Sequence, residues 1–387
     1  MSFFLIALAW SVALVWAWRT EVALRNFSWL PDLLPETETL RPAARPFLSV
    51  IVPARNEEEA IEQTLRSLLA QQGVDLEILA VNDRSTDATG PIMEHVAAST
   101  DRIRVLHIQE LPEGWMGKTH AMAIAARQAN APWLLFTDAD VVFREDSLRR
   151  ALAYAEPEAD HLVLFPTLVF KNFGECMMLS AIQMLTFLTW RPWKIADPKS
   201  RESIGIGAFN LVRRETYDAI GGFEALPLEV LEDLRFGFLV KQHGFRQRFV
   251  LGRGLIRIHW AAGAFGIVRN LTKNIFAVFR FNPLTLLGAC IALAMFCFVP
   301  LIAIWGRWPA RVSFLLVMMC AMAMYRCIVR RTTGIRTAYV ATFPVAACLI
   351  LYALARSMLV TLARRGVVWR GTFYPLTELR KQAEPLR

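Results

Sequence analysis

Apolar runs long enough to cross a bilayer constrain this chain more than anything else in it. Residues 284–305, 312–329 and 338–362 each have the length and apolarity of a membrane span, and residues 2–18 form a shorter run near the minimum for one. Lipid offers the backbone no hydrogen-bonding partner, so such runs fold as helices that satisfy their own N–H and C=O groups. Hydrophobic residues make up 55% of the 387 and mean hydropathy is +0.35, too apolar for an ordinary soluble enzyme. The expectation is a membrane protein with a soluble part.

The first run ends at Arg19, with Glu21 and Arg25 behind it and no small-residue cleavage signature, so residues 1–20 read as a retained anchor. Basic residues on its carboxyl side place the soluble part after it in the cytoplasm, and the protein in the cell (inner) membrane as a multi-pass chain. Residues 21–46 read as a linker, 284–362 as about three transmembrane helices and 363–387 as a basic tail. Span counting then meets a conflict. Three spans after a cytoplasmic soluble part carry the Arg-rich tail outside, against the positive-inside tendency, so either one segment is re-entrant or the tendency fails here. Pro344 and Arg356 sit inside the last run, and an ionisable residue there points to snorkelling or a lipid-facing cavity. The formal charge of +9 fits membrane electrostatics better than nucleic acid, because the arginines cluster beside apolar segments. Cysteines 290, 297, 320, 327 and 348 lie in apolar segments and Cys176 in a semi-apolar one, without C-x-x-C spacing; they read as small buried hydrophobes in a reducing setting.

From residue 47 the pattern becomes alternating strand and helix. Strands are expected over 48–52, 76–81, 103–108 and in the run ending at Asp138, with helices over 57–71, 90–99 and 118–129. Such alternation predicts a mostly parallel α/β sheet with ligands at the carboxyl ends of its strands. The polar clusters fall there: Pro53-Ala54-Arg55-Asn56-Glu57 after the first strand and Asn82-Asp83-Arg84-Ser85-Thr86-Asp87 after the second. Both precede a helix amino terminus, which favours phosphate; read locally, Asn56, Ser85 and Asp87 are equally helix caps. Gly117-Lys118 opens the next helix without Walker spacing, so Lys118 faces either a phosphate or solvent. Asp138 and Asp140 stand two apart at a strand exit, where an extended chain would turn both carboxylates to one face and one hard cation. An isolated D-x-D is more often a turn. Residues 170–193 are apolar and aromatic with basic edges, either an interfacial helix or a core helix of the soluble domain.

Four motifs in this order make residues 47–280 resemble glycosyltransferase family 2 on the GT-A fold: Pro53, Asn56 and Glu57; Asn82, Asp83, Ser85 and Asp87; Gly117-Lys118; and Asp138 with Asp140. The family's usual first aspartate of the second loop is Asn82 here, which moves base reading to Asp83. The resemblance implies a nucleotide-diphosphate-sugar donor held by Pro53, Arg55, Glu57, Asp83, Lys118 and Asp138, and Mg2+ or Mn2+ on Asp140 and Asp138. It also implies a catalytic Glu232-Asp233 pair with Asp233 as general base, and inversion at the sugar carbon. The Gln-x-x-Arg-Trp signature of processive members is missing, so a single transfer is expected. Trp115 to Lys118, Lys273-Asn274-Ile275-Phe276-Ala277 and Trp369 to Tyr374 resemble the members that glycosylate carotenoids, hopanoids and related lipids, with Thr372 where arginine is more usual. The implied acceptor is a membrane lipid, with Arg257 and Lys273 facing the diphosphate or the acceptor. Transfer to a polyprenyl phosphate, or a non-catalytic nucleotide-sugar-binding subunit, are the alternatives.

Overall fold

The computed structural model describes residues 3–36 and 46–382; residues 37–45 of the expected linker and the last five residues of the expected tail lie outside them. The chain opens with helix α1 (Phe3–Phe27). Alternation follows as β1 (Phe47–Ala54), α2 (Ile61–Leu69), β2 (Asp75–Asp83), α3 (Thr89–Ala97), β3 (Ile103–Ile108), α4 (Gly117–Gln128) and β4 (Trp133–Phe136). Next come β5 (Val141–Phe143), β6 (His161–Phe165), β7 (Thr167–Leu168), α5 (Phe173–Thr189), β8 (Asn210–Arg213), α6 (Glu232–Gln242), β9 (Gln247–Leu251) and β10 (Ile256–Ile258). Helices α7 (Gly263–Val278), α8 (Pro283–Ala303), α9 (Trp308–Met324) and α10 (Phe343–Arg364) precede a hairpin, β11 (Gly366–Trp369) and β12 (Thr372–Pro375), and α11 (Leu376–Gln382).

Two units emerge. One is formed by Leu30–Val169 and Pro192–His259 and contains the sheet; the other gathers Met1–Trp29, Phe170–Arg191 and Trp260–Ala383. These limits differ from the sequence-based ones: α1 runs on to Phe27, and residues 170–191 and 260–278 group with the apolar helices instead of the sheet. Among the described residues, four helices are long and apolar enough to cross a membrane: Phe3–Phe27, Pro283–Ala303, Trp308–Thr333 and Thr337–Arg364.

In the sheet unit the order is β3-β2-β1-β4-β8-β6-β9. β1 pairs in parallel with β2 and β4, β2 with β3 and β6 with β9, while β8 runs against both its neighbours. Strand order reverses between β1 and β4, so the exits of β1, β2 and β4 open on one crevice. β1 is buried at every position but its first, the mark of a strand covered on both faces. α2 buries Ile61, Thr64, Leu65 and Leu68, the three-four spacing of an amphipathic helix; Leu65 and Leu68 each contribute about 2 kcal/mol by leaving water.

Two expected boundaries move, for physical reasons. The helix expected from Glu57 begins at Ile61, because the N–H groups of Glu57 and Glu58 bond side chains of the neighbouring loop, Thr89 at 2.8 Å and Asp87 at 3.3 Å. The strand expected to reach Asp138 stops at Phe136, and residues 139–140 form a turn into β5, so Asp138 and Asp140 do not share a strand face.

A buried polar chain crosses the far half of the sheet. His161 Nδ1 lies 2.8 Å from Gln247 Nε2, and His161 Nε2 lies 3.2 Å from Asn210 Oδ1, which pairs consistently only for a neutral ring protonated on Nε2. Gln247 also binds both backbone groups of Ile204, accepting from its N–H at 3.1 Å and donating to its carbonyl at 3.0 Å. Asn210 Oδ1 accepts from Ile206 N–H at 3.4 Å. The segment 204–206 is thus held from both ends by one chain of side chains. Burial pushes the His161 ring down to about 4, against a small opposing pull from Asn210. The unfolded chain binds this proton near 6.5 and the folded chain only near 4, so stability falls as pH drops between those values, by about 3 kcal/mol over the window. The unfolding midpoint should decline over that range, and the decline should be shallower in His161→Phe whatever its starting stability; equal slopes would refute the buried neutral ring.

Candidate active site

The loops leaving β1 and β2 are laced together. Asn56 and Arg84 both take left-handed backbone angles, φ +55° and +54°. Asn56 N–H donates to Ser85 Oγ at 3.1 Å, Asn56 Oδ1 accepts from Thr86 N–H at 2.8 Å, and Glu58 accepts from Ala88 N–H at 2.9 Å. Asn56 therefore joins the loops and does not cap α2, which has no side-chain cap. In the second loop Asn82 faces structure, with its amide on His107 at 3.1 Å and its oxygen accepting from Ser85 N–H at 3.2 Å. Asp83 is buried, and Arg84 grips its carboxylate at 2.7 and 3.0 Å. Gly117 comes so near this pair that a Cβ there would overlap Asp83 and Arg84.

One residue along α4, Lys118 reaches two carboxylates from distant parts of the chain: Asp138 Oδ1 at 2.6 Å and Glu232 Oε1 at 2.7 Å. Backbone bonds extend the cluster. Asp138 N–H donates to Gly207 carbonyl at 3.0 Å, and Gly207 N–H donates to Asp233 Oδ2 at 2.9 Å, while Asp233 Oδ1 accepts from Leu234 N–H at 2.7 Å. Such closeness demands glycine: a Cβ on Gly207 would meet the Asp138 carboxylate and the Lys118 ammonium, and one on Gly205 would collide with the Asp233 carbonyl. A cavity of about 10 Å3 lies among Lys118, Thr137, Asn210, Glu232 and Asp233, room for about one water.

Charge in the cluster is unevenly shared. Burial alone would lower the Lys118 ammonium, but Asp138, Glu232 and Asp233 outweigh it and raise its pKa. Burial raises Asp140, and the charges of Asp138 and Glu57 push it further. Asp233 is raised by burial and by Glu232, with Lys118 pulling the other way. A proton-accepting carboxylate and a permanent cation thus stand side by side.

The structure brings Lys118, Asp138, Glu232 and Asp233 into contact, with Asp140 and Glu57 within electrostatic reach. Pro53 is buried in β1 and Arg55 half-buried just beyond it. Asp83 belongs to the separate pair with Arg84. Arg257 is exposed on β10, where it has no ion-pair partner among the described residues, and Lys273 is exposed on α7 of the other unit. The sequence reading missed Gln247, His161 and Asn210; the signal available was a polar residue opening each of the apolar strands β9, β6 and β8.

Comparisons with known proteins agree with this architecture. The sequence profile described as glycosyl transferase family 2 matches residues 49–221. Two Staphylococcus aureus proteins, from strains bovine RF122 / ET3-1 and USA300, are named 4,4'-diaponeurosporenoate glycosyltransferase; each is 27% identical over 271 residues, 64% of this chain and 69% of theirs. The solved structure of the mannosyltransferase PcManGT from Pyrobaculum calidifontis, in complex with GDP-Man and Mn2+, aligns over 90% of this chain and 99% of that one with a TM-score of 0.58 and 21% identity, a likeness of fold. With the family profile reaching from β1 through the Asp138 turn to Gly221, on a sheet of GT-A type, the profile, the relatives and the fold together support a glycosyltransferase of family 2.

Proposed function

We propose that this glycosyltransferase moves one sugar, with inversion, from a nucleotide-diphosphate sugar to a membrane lipid, with Asp233 as general base. The observation that carries the reading is the Lys118 bridge, which draws the Asp138 turn and the Glu232-Asp233 pair into one cluster. A lipid acceptor is supported by the four span-length apolar helices in the same chain and by relatives named for a carotenoid acceptor. The basic residues Arg19 and Arg25 near the end of α1 favour a cytoplasmic sheet unit.

In this reading the acceptor hydroxyl gives its proton to Asp233 as its oxygen attacks the anomeric carbon from the face opposite the diphosphate. The bond to the leaving phosphate oxygen breaks and the configuration inverts. Two N–H groups, Gly207 and Leu234, fix the carboxylate's orientation, so little reorganisation is needed at the moment of transfer. Lys118 offers a fixed positive charge to the diphosphate, and Glu232 positions it. Donor-side contacts are assigned to Pro53, Arg55, Glu57, Asp83, Lys118 and Asp138. Asp83 acts there together with Arg84, whose guanidinium already holds its carboxylate.

A divalent cation suits the donor set. Asp138 and Asp140 are hard oxygen donors; burial, and then repulsion from Asp138 and Glu57, raises Asp140, a cost that a cation relieves. Among the described residues no three His, Cys, Asp or Glu side chains cluster as a closed cage, so the pair fits an ion that takes its remaining ligands from diphosphate and water. Held by these two residues, Mg2+ or Mn2+ would neutralise charge on the departing nucleoside diphosphate.

Asp233→Asn should lower label transfer to extracted membrane lipid by about 10²–10⁴-fold while leaving nucleotide-sugar affinity, read by thermal shift across a donor panel, within about twofold. A parallel collapse of donor affinity would remove Asp233 from the base role. EDTA should abolish transfer, and Mg2+ or Mn2+ should restore it; undiminished transfer after chelation would reject the cation on Asp138 and Asp140.

A further inference from the structure

The helices of the second unit carry their own depth scale. Ala9 of α1 packs with Ala303 at the end of α8 and Ala310 near the start of α9, so α1 and α9 run the same way and α8 runs against them. Seven residues along α1, Trp16 stacks on Phe296 at 4.5 Å and donates Nε1–H to its carbonyl at 2.9 Å; Phe296 is itself seven residues before Ala303. Both counts place this contact about 10 Å from the alanine cluster.

Phe343, the first residue of α10, meets the same Trp16 ring edge-on at 6.2 Å. The α-helical part of the segment therefore begins at mid-depth, after the 3-10 turn Thr337–Thr342. Its direction is set by Ser357, which donates to Thr272 carbonyl at 2.7 Å and accepts from Phe276 N–H at 3.2 Å. Phe276 packs on Phe281 at 5.5 Å, two residues before α8 starts, and beyond the hairpin Arg380 donates to the Phe281 carbonyl at 2.9 Å. Phe343 to Ser357 is 14 residues, about 21 Å of helix, and Phe296 back to Phe281 is 15, about 22 Å. The lengths match, so α10 climbs from mid-depth to the end where α8 starts.

The chain also enters from that end. Tyr325, just past α9, meets Ser180 of α5 at 3.3 Å, and Tyr339, in the short turn before α10, meets Phe173 of α5 at 5.3 Å. Phe187 of α5 packs on Phe27, the last residue of α1, at 5.5 Å. Tyr325 is 15 residues beyond Ala310 and Phe27 is 18 beyond Ala9, so Ser180 and Phe187 lie at similar depth and α5 runs across the bundle. Entry and exit of the last apolar segment thus share one end with the carboxyl terminus of α1. Near its exit, Arg356 touches Thr272 Oγ1 at 3.0 Å and has no carboxylate in ion-pair range among the described residues.

We infer that residues 334–365 dip into one leaflet and return, so that the chain crosses the bilayer three times, and that Arg356 meets the phosphate of a lipid head group in that leaflet. This rests on the membrane reading of the apolar helices. Hydropathy cannot register the return, because a segment that enters and leaves by one face is as apolar as one that passes through. An arginine in mid-bilayer is costly, whereas one level with the helix ends finds its counter-ion in the head groups. The return also brings the basic tail to the side where α1 ends, in keeping with the positive-inside tendency.

The test is sidedness. In the full chain, Ser28→Cys, Trp305→Cys and Glu378→Cys, each compared with the unsubstituted protein, are treated with a membrane-impermeant maleimide in intact spheroplasts and in inverted vesicles. Positions 28 and 378 should label from one side and 305 from the other. Labelling of 378 with 305 means a fourth crossing and overturns the inference; labelling of all three from one side means that the helices do not span at all, which defeats the membrane reading instead. Should a cysteine variant fail to accumulate, a carboxyl-terminal alkaline phosphatase or fluorescent-protein fusion to the unaltered chain reports the same side. For Arg356, the gain in unfolding midpoint from phosphatidylcholine to phosphatidylglycerol vesicles should shrink in Arg356→Gln and persist in Arg356→Lys. An equal loss of midpoint in both lipids would make Arg356 a packing residue only.

Discussion

A lysine ammonium placed between Asp138 and Glu232 is the contact on which the acidic cluster depends. Without it, Glu57, Asp138, Asp140, Glu232 and Asp233 would form an uncompensated concentration of negative charge. Such a cluster either takes up protons or spreads apart. Removing one partner of a desolvated charge network leaves the others exposed to each other, which is why the loss exceeds what a single surface ion pair contributes. The ammonium is also positioned by a helix start rather than a flexible loop. Gly117 lets α4 begin close against Asp83 and Arg84, and Lys118 follows it directly.

Order in the other half of the site comes from the backbone. The segment 204–207 lies on α6 so closely that two glycines are required, and its N–H at Gly207 orients the Asp233 carboxylate. The same segment is gripped upstream by Gln247 and Asn210 through His161. A buried amide-imidazole-amide chain is a stiff device, since each member satisfies the next and none has water as an alternative partner. The Asp233 carboxylate is therefore held by main-chain donors, and the segment that supplies one of them is itself held by the sheet core.

How far the sequence could be read depends on the kind of physics involved. The α/β alternation was legible because burial imposes periods of two and three to four, and Leu48 to Val52 or Ile61, Leu65 and Leu68 display them openly. Asp138 was legible as a candidate because strand exits in parallel sheets are where ligands go, whereas Glu232 and Asp233, at the start of α6, were legible only through the family resemblance. What stayed hidden depended on partners far away in the chain. Asn56 looks like a cap until Thr86 is found to bond it, and Gln247 looks like an ordinary strand residue until Ile204 and His161 lie beside it. The end of β4 at Phe136 was equally invisible, since the turn at 139–140 is bonded through Thr137 and Asp138 to residues of β1 and the 204–207 segment.

The last apolar segment carries the same lesson further. Hydropathy measures what a residue would rather touch, and says nothing of where a helix begins. Residues 284–305 and 338–362 are both apolar enough to cross a membrane, yet α8 runs from Pro283 to the alanine cluster at Ala303, whereas the α-helical part of the second segment starts against Trp16 halfway along. The distinction lies in one aromatic pair and one serine, Phe343 on Trp16 and Ser357 on the backbone of Thr272 and Phe276. Pro344 stands in the first turn of α10, directly after the 3-10 turn Thr337–Thr342, where its fixed φ suits the start of an α-helix. On the re-entrant reading inferred above, Pro344 marks in the sequence the place where the α-helical part of the returning segment starts.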